Sequence, residues 1–344
     1  MTRKLVVDLR SRSAAFCLPD AVGDALVAAT PAGWRTHVVH AETDSFGDGA
    51  QQPSDESLHE IADAEIVFSY GMPKILFSAA KELRWVHTAT AGVASLLFPD
   101  MIASDVTLTN SAGIYGPPIA EHVLGGVLQL LRAFDVAGEL QRKGEWDSSV
   151  FATNATRVRE LSECRALIVG VGGIGGETAR RFSLLGAHCV GVRRDVGKGT
   201  PEGFERVVGL DALDAELREA DILVLAAPLT AETRAVVTAE RLALMPDGAI
   251  VVNVARGALV DESALTAALV SGRLRGAVLD VFAREPLAPD SPLWHLPNVV
   301  LTPHVAGVSP RRFFERLSEL FLDNWTRYRA GQPLRNLVDK QAGY

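Results

Sequence analysis

Late in the chain, three residues suited to polar chemistry follow short apolar runs. They are Arg256 in Val251-Val-Asn-Val-Ala-Arg256-Gly-Ala-Leu-Val-Asp261, Glu285 in Leu279-Asp280-Val-Phe-Ala-Arg-Glu285-Pro-Leu287, and His304 in Leu301-Thr-Pro-His304-Val-Ala-Gly307. An imidazole gains and loses a proton near neutral pH, and a carboxylate beside it favours and orients the protonated ring. A guanidinium offers a fixed fork of donors to a carboxylate or carbonyl oxygen. Taken singly, each has a plainer use: arginines are mostly solvated, a glutamate before proline caps or turns, and a lone histidine is more often structural. Each run reads as a strand, however, so each residue falls at a strand's carboxyl end, where open α/β sheets bind ligands.

A second constellation lies upstream. Gly170-Val-Gly172-Gly173-Ile174-Gly175 has the GxGxxG spacing, follows the apolar strand Ala166-Leu-Ile-Val169 and opens a helix over Glu177–Leu185. Alone the pattern is weak; between strand and helix it points to a dinucleotide site. Glycines let backbone approach a pyrophosphate, and the helix N-terminus supplies N–H donors and a positive dipole. Gly173 and Ile174 are expected to carry the contacting amides. The next strand of such a unit usually ends in an acidic residue for the ribose hydroxyls. Here the sequence is Val190-Gly-Val-Arg193-Arg194-Asp195. Two guanidiniums suit a 2′-phosphate, so NADP is expected in preference to NAD. The alternative is a solvated arginine pair with Asp195 curled back onto the ribose.

These residues need a scaffold, and the chain supplies two alternating α/β regions. With 344 residues it is long enough for two domains, and 48% hydrophobic against 22% charged residues is a globular balance. In the first hundred residues Leu5–Leu9, Thr36–His40, Ile66–Ser69, Arg84–Thr88 and Val106–Thr109 read as strands, with helical patterns such as Asp20–Ala29 and Glu56–Ala62 between them. The loop Ala41–Ser54 reads as a surface excursion. Gly116-Pro117-Pro118 starts a helix expected to reach about Gly138. Its apolar face (Ile119, Val123, Val127, Leu130, Leu131) is wide enough to pack between domains or subunits. A polar stretch, Gln141–Glu163, follows. Six further strands are then predicted at Arg165–Val169, Cys189–Arg193, Ile222–Ala226, Ala249–Asn253, Ala277–Asp280 and Val299–Thr302, with helices at Gly175–Leu185 and Glu262–Ser271. Six strands with five crossovers make a doubly wound dinucleotide-binding sheet. Ser309–Ala330 is amphipathic and is expected to return to the first domain.

The predicted fold is therefore α/β, with two doubly wound parallel-sheet domains: a Rossmann cofactor domain over residues 113–305 and a flavodoxin-like substrate domain over 1–112 and 306–344. A net charge of −8 gives no footprint for nucleic acid or an anionic membrane. No apolar stretch reaches membrane-spanning length, and the opening run to Asp8 is too short for a signal-peptide core. Cys17, Cys164 and Cys189 form no CxxC pair, the remaining histidines have no ligand spacing, and Glu121-His122 point apart on a helix. No metal is expected, and a reducing cytoplasm fits.

Several independent motifs, in order, resemble the D-isomer-specific 2-hydroxyacid dehydrogenase family, including its glyoxylate/hydroxypyruvate reductases. They are Ala91-Gly92-Val93, Asn110, Ala120-Glu121-His122, the glycine loop, Pro228-Leu229-Thr230, and then the arginine, glutamate and histidine segments. The resemblance implies hydride transfer between NAD(P)H and a small 2-oxo acid to give a D-2-hydroxy acid. It makes His304 the proton donor, Glu285 its partner carboxylate, and Arg256 the residue that polarises the 2-oxo group and holds the carboxylate. It implies that the Ala91 and Gly92 amides hold the substrate carboxylate, and that Tyr70-Gly71 belong to a loop facing the cleft. Pro228, Val254, Ala255 and Asp280 would lie against the cofactor, Asp280 at the nicotinamide amide. Relatives are commonly homodimers. Formate dehydrogenases on this scaffold usually carry glutamine where this chain has Glu285, which argues against that activity. A phosphite-type dehydrogenase and a dinucleotide-sensing regulator are the alternatives. With the chain ending at Tyr344, no room is expected for the regulatory domain of many phosphoglycerate dehydrogenases.

Overall fold

The computed structural model describes residues 2–44, 51–152 and 157–343. Positions 45–50 of the expected Ala41–Ser54 loop, and 153–156 of the polar stretch, lie outside the described residues. The chain divides into two compact units, Met1–Tyr115 with Val308–Tyr344, and Gly116–Gly307.

The first unit holds five parallel strands, β1 (Arg3–Asp8), β2 (Trp34–Val38), β3 (Ile66–Ser69), β4 (Trp85–Thr88) and β5 (Thr107–Thr109), in the order β2-β1-β3-β4-β5. This is a flavodoxin-like doubly wound order. Lys4–Asp8 of β1 and all of β3 and β4 are buried without alternation because helices cover both faces of a parallel sheet. One face carries Val6, Val67, Val86 and Leu108. The other, with Leu5, Phe68 and Trp85, receives Phe313, Leu317, Phe321 and Trp325 of the Pro310–Arg329 helix. Those four lie four residues apart, one stripe of that helix. Phe321 stacks on Phe68 with ring centroids 4.2 Å apart. His87, fully buried beside them, is pushed down to about 3 by burial and is therefore neutral, with Nδ1 2.7 Å from Thr109 Oγ1. It is a core residue.

Asp8 closes β1 with 2% exposure; it accepts a 2.7 Å bond from Ser57 Oγ, and its second oxygen has no partner among the described residues. Burial raises its carboxyl from 3.8 to about 6, against the opposing influence of the Ser57 hydroxyl and the nearby Gln51 side chain. A folded-state value above the unfolded one means that the protonated form supports folding fully below about pH 4, and that this support is lost as pH rises through 6. Asp8→Asn is therefore expected to stabilise the protein at pH 7, by at most roughly 3 kcal/mol, and to leave it near wild type at pH 4. Thermal unfolding at the two pH values checks this; an equal change at both would remove the buried charge as its cause.

The second unit contains seven parallel strands: β6 (Arg165–Val169), β7 (His188–Val192), β8 (Arg206–Val208), β9 (Ile222–Leu225), β10 (Ile250–Asn253), β11 (Gly276–Leu279) and β12 (Val299–Leu301). Their order, β12-β11-β10-β9-β6-β7-β8, is the Rossmann order with one extra strand at an edge. β8 is the strand that the six-strand reading lacks: three residues at the sheet edge, opened by an exposed arginine and only half buried.

The helix from Gly116 stops at Leu131, short of Gly138, because Ala133 adopts a left-handed backbone (φ 54°) before a separate helix, Phe134–Lys143. Its apolar face is also not free for another domain or subunit. Ile119, Val123, Val127 and Leu130 are buried in the helix's own unit. Two glycines permit the fit: a Cβ on Gly126 would sit 2.6 Å from Val278 Cγ1, and one on Gly116 would sit 2.8 Å from Gly173 O.

Candidate active site

β10, β11 and β12 are neighbours in register, Asn253 opposite Leu279 and Leu279 opposite Leu301. The loops leaving their carboxyl ends therefore emerge side by side, and these carry Arg256, Glu285 and His304. His304 Nδ1 lies 2.8 Å from Glu285 Oε2, and Glu285 Oε1 accepts the Phe282 N–H at 3.1 Å. The carboxylate is thus fixed by its own loop before it meets the imidazole. With Nδ1 occupied, Nε2 is the ring atom left for a ligand. Both side chains are part exposed, 47% and 38%.

Arg256 is half-buried, and its Nη1 donates to Ala255 O at 2.7 Å, leaving the rest of its fork unspent. Among the described residues it makes no bond to Glu285 or His304. Its turn is clamped by Asn253, whose amide donates to Arg256 O at 3.0 Å and accepts from Ala255 N at 3.2 Å. Gly257 abuts the Glu285 loop so closely that a Cβ would lie 1.9 Å from Phe282 C. Only glycine allows this approach. Motif spacing does not single out Asn253 as a site residue; the signal in the sequence is a polar residue ending the apolar run Ile250-Val-Val.

The glycine turn has the form its spacing predicts. Gly170 has φ 104°, and a Cβ there would meet the Ala226 and Ala227 backbone at 2.6 Å. A Cβ on Gly175 would lie 1.9 Å from Gly170 O, so the Gly173–Leu184 helix can start only with glycine there. At the helix N-cap, Gly172 provides no side-chain cap, and a Cβ would meet nothing within 4 Å. The amides of Gly173 and Ile174 belong to the first turn of this helix, where backbone N–H groups have no intrahelical acceptor. Pro228, exposed after β9, has its carbonyl tied by Thr233 Oγ1 at 2.7 Å; Val254 and Ala255, after β10, are largely buried.

Arg193 and Arg194 follow β7. Arg193 donates to Gly199 O while its Nε has no partner among the described residues, and Arg194 pairs with Glu232 at 2.8 Å. Asp195 is turned into its own loop, accepting the Gly197 N–H at 3.0 Å. Asp280 is 2% exposed, and its carboxylate bonds run to the His304 loop rather than to open space.

In the first unit Tyr70 is buried and its hydroxyl donates to Phe16 O at 2.6 Å, so the side chain belongs to the core and only its backbone faces the following Gly71 turn. Ala91 O accepts from Asn110 Nδ2 at 2.9 Å and Gly92 O from Thr90 Oγ1 at 2.7 Å. Among the described residues the Ala91 and Gly92 amides have no acceptor. No group of three or more metal-ligating side chains occurs among the described residues, and no helix among them is long and apolar enough to cross a membrane.

Comparison with known proteins agrees with this arrangement. The NAD binding domain of D-isomer specific 2-hydroxyacid dehydrogenases matches residues 124–306. Glyoxylate/hydroxypyruvate reductase A of Salmonella newport is 32% identical over 315 residues, covering 89% of this chain and 92% of the relative. A Xanthobacter autotrophicus Py2 D-isomer specific 2-hydroxyacid dehydrogenase, solved with NADPH and MES, superposes with a TM-score of 0.80 at 32% identity over the whole of both chains. An NADPH-dependent glyoxylate/hydroxypyruvate reductase of Sinorhizobium meliloti, solved with NADP and sulfate, gives 0.79 at 29% identity over 99% of this chain and all of that one. The chain belongs to the D-isomer specific 2-hydroxyacid dehydrogenase family.

Proposed function

We propose that this oxidoreductase reduces a small 2-oxo acid, glyoxylate or hydroxypyruvate in the first instance, to the D-2-hydroxy acid with NADPH. The observation that carries the reading is the Glu285–His304 hydrogen bond at a strand end adjoining Arg256. The reduced nicotinamide supplies a hydride when bound. Arg256 holds the substrate carboxylate and polarises the 2-oxo oxygen with its unspent donors. His304 gives the proton from Nε2 to that oxygen as it gains charge, while Glu285 orients the ring through Nδ1. The amides of Ala91 and Gly92 and the Tyr70-Gly71 backbone are proposed substrate contacts. Gly170, Gly172, Gly173, Ile174 and Gly175, with Pro228, Val254 and Ala255, are proposed to hold the cofactor. The relatives named as glyoxylate/hydroxypyruvate reductases support the substrate class. Purified protein should consume NADPH with a panel of 2-oxo acids, fastest with these two; consumption with none of them removes the reading.

Cofactor choice is proposed to lie with Arg193 and Arg194, supported by the adjacent guanidiniums after β7 and by the NADPH and NADP in the two solved relatives. Arg193→Asp is expected to lower the NADPH/NADH ratio of kcat/KM by about 10- to 100-fold, the worth of one or two charged hydrogen bonds. An unchanged ratio would assign selectivity elsewhere.

A homodimer in the cytoplasm is also proposed. The three cysteines are free, which suits a reducing compartment. Phe134, 63% exposed, and Trp146, 99% exposed, are two of the exposed large apolar side chains and are proposed to carry the subunit contact, in place of the buried face of the Gly116–Leu131 helix. Light scattering at micromolar concentration distinguishes dimer from monomer.

A further inference from the structure

His304 has an unusual backbone. Its φ is 57°, in the left-handed region that residues other than glycine adopt at an energetic cost, so something must hold it there. The holding group is Asp280, one residue beyond β11. Its Oδ1 accepts the Val305 N–H at 2.8 Å and its Oδ2 accepts the Ala306 N–H at 2.9 Å. These are the two amides that directly follow His304. Bonds from N–H donors to a buried carboxylate are the strong kind, and two on successive residues fix the local backbone. On the other side of His304, Thr302 Oγ1 donates to Asp280 Oδ1 at 2.6 Å. The same hydroxyl lies 3.2 Å from Nε2 of His122, on the Gly116–Leu131 helix; with its own hydrogen given to Asp280, it can only accept a hydrogen bond from that ring.

We propose that Asp280 is a positioning residue for His304: oriented by Thr302 and His122, its carboxylate grips the chain on both sides of the histidine and so holds the imidazole against Glu285. The inference rests on the reading of His304 as proton donor. It differs from what the family resemblance implies for Asp280, a contact with the nicotinamide amide. Asp280 begins the loop that carries Glu285 and grips the loop that carries His304. One side chain thereby sets the spacing of the pair. Asparagine in its place would turn an NH2 group toward an N–H donor, and one of the grips is lost.

The test compares Asp280→Asn, Thr302→Val and Thr302→Ser with wild type, reading kcat, the NADPH dissociation constant by fluorescence titration, and the imidazole 1H–15N signals, with those of His304 identified by their loss in His304→Asn. Asp280→Asn should lower kcat by about 10²-fold, the effect of a misplaced catalytic group, and keep the NADPH dissociation constant within roughly threefold. Thr302→Val should lower kcat by roughly 3- to 10-fold, the worth of one hydrogen bond, and Thr302→Ser should restore it. The His304 ring signals should move in Asp280→Asn and Thr302→Val. NADPH affinity weakened tenfold or more with kcat intact would make Asp280 a nicotinamide contact and overturn the proposal, as would ring signals that stay in place. Should Asp280→Asn not fold, the threonine pair decides. Absence of turnover in wild type would count against the proposed reaction; the ring signals would still decide the role of Asp280.

Discussion

Replacing His304 by alanine is expected to lower turnover by about 10²- to 10⁴-fold, the usual worth of a positioned proton donor. The expectation rests on the hydrogen bond from Nδ1 to Glu285, which leaves Nε2 for the substrate oxygen. Substrate and cofactor binding should change far less, because the imidazole acts on charge that develops during the reaction. Steady-state kinetics with glyoxylate, alongside an NADPH titration, separates the two. If 2-oxo acid reduction stays near wild type, another group supplies the proton.

The second large effect is expected at Arg256. Arg256→Ala should lower kcat by about 10²- to 10³-fold, the loss seen when a donor to a developing oxyanion is removed. It should also raise KM for the 2-oxo acid by roughly tenfold or more, since the same fork is proposed to hold the carboxylate. Asn253 clamps the Arg256 turn and Gly257 packs it on the Phe282 backbone, so the substitution should leave the loop in place. Arg256→Lys keeps the charge without the planar fork and should recover only part of the loss. A rise in KM with kcat unchanged would mean that Arg256 binds substrate and transition state equally.

Much of the scaffold was legible because strands buried on both faces read as unbroken apolar runs. Ile66–Ser69 was placed as its predicted bounds have it, while Thr36–His40 lies two residues beyond the observed Trp34–Val38, where alternating polar residues blur the start. Arg206–Val208 was missed because a three-residue edge strand has no apolar run to show. The end of the Gly116 helix at Leu131 was equally hidden. The left-handed residue there is Ala133, not a glycine, and its conformation comes from tertiary packing of a fully buried side chain. At the site, the order of the motifs indicated which strand ends carry Arg256, Glu285 and His304. Side-chain direction was not readable. Asp280 turns inward to Val305 and Ala306, and the Tyr70 hydroxyl to Phe16 O, because each finds a backbone partner that only the folded chain brings near.

The proposed reaction moves a hydride from NADPH to the 2-carbon of a 2-oxo acid while His304 protonates the oxygen. Its most direct test is to turn over hydroxypyruvate with NADPH carrying deuterium at both positions of nicotinamide C4, and to analyse the product by mass spectrometry and chiral chromatography. D-Glycerate with one deuterium at C2 is the expected result; L-glycerate, or product whose C2 hydrogen comes from water, would contradict the account.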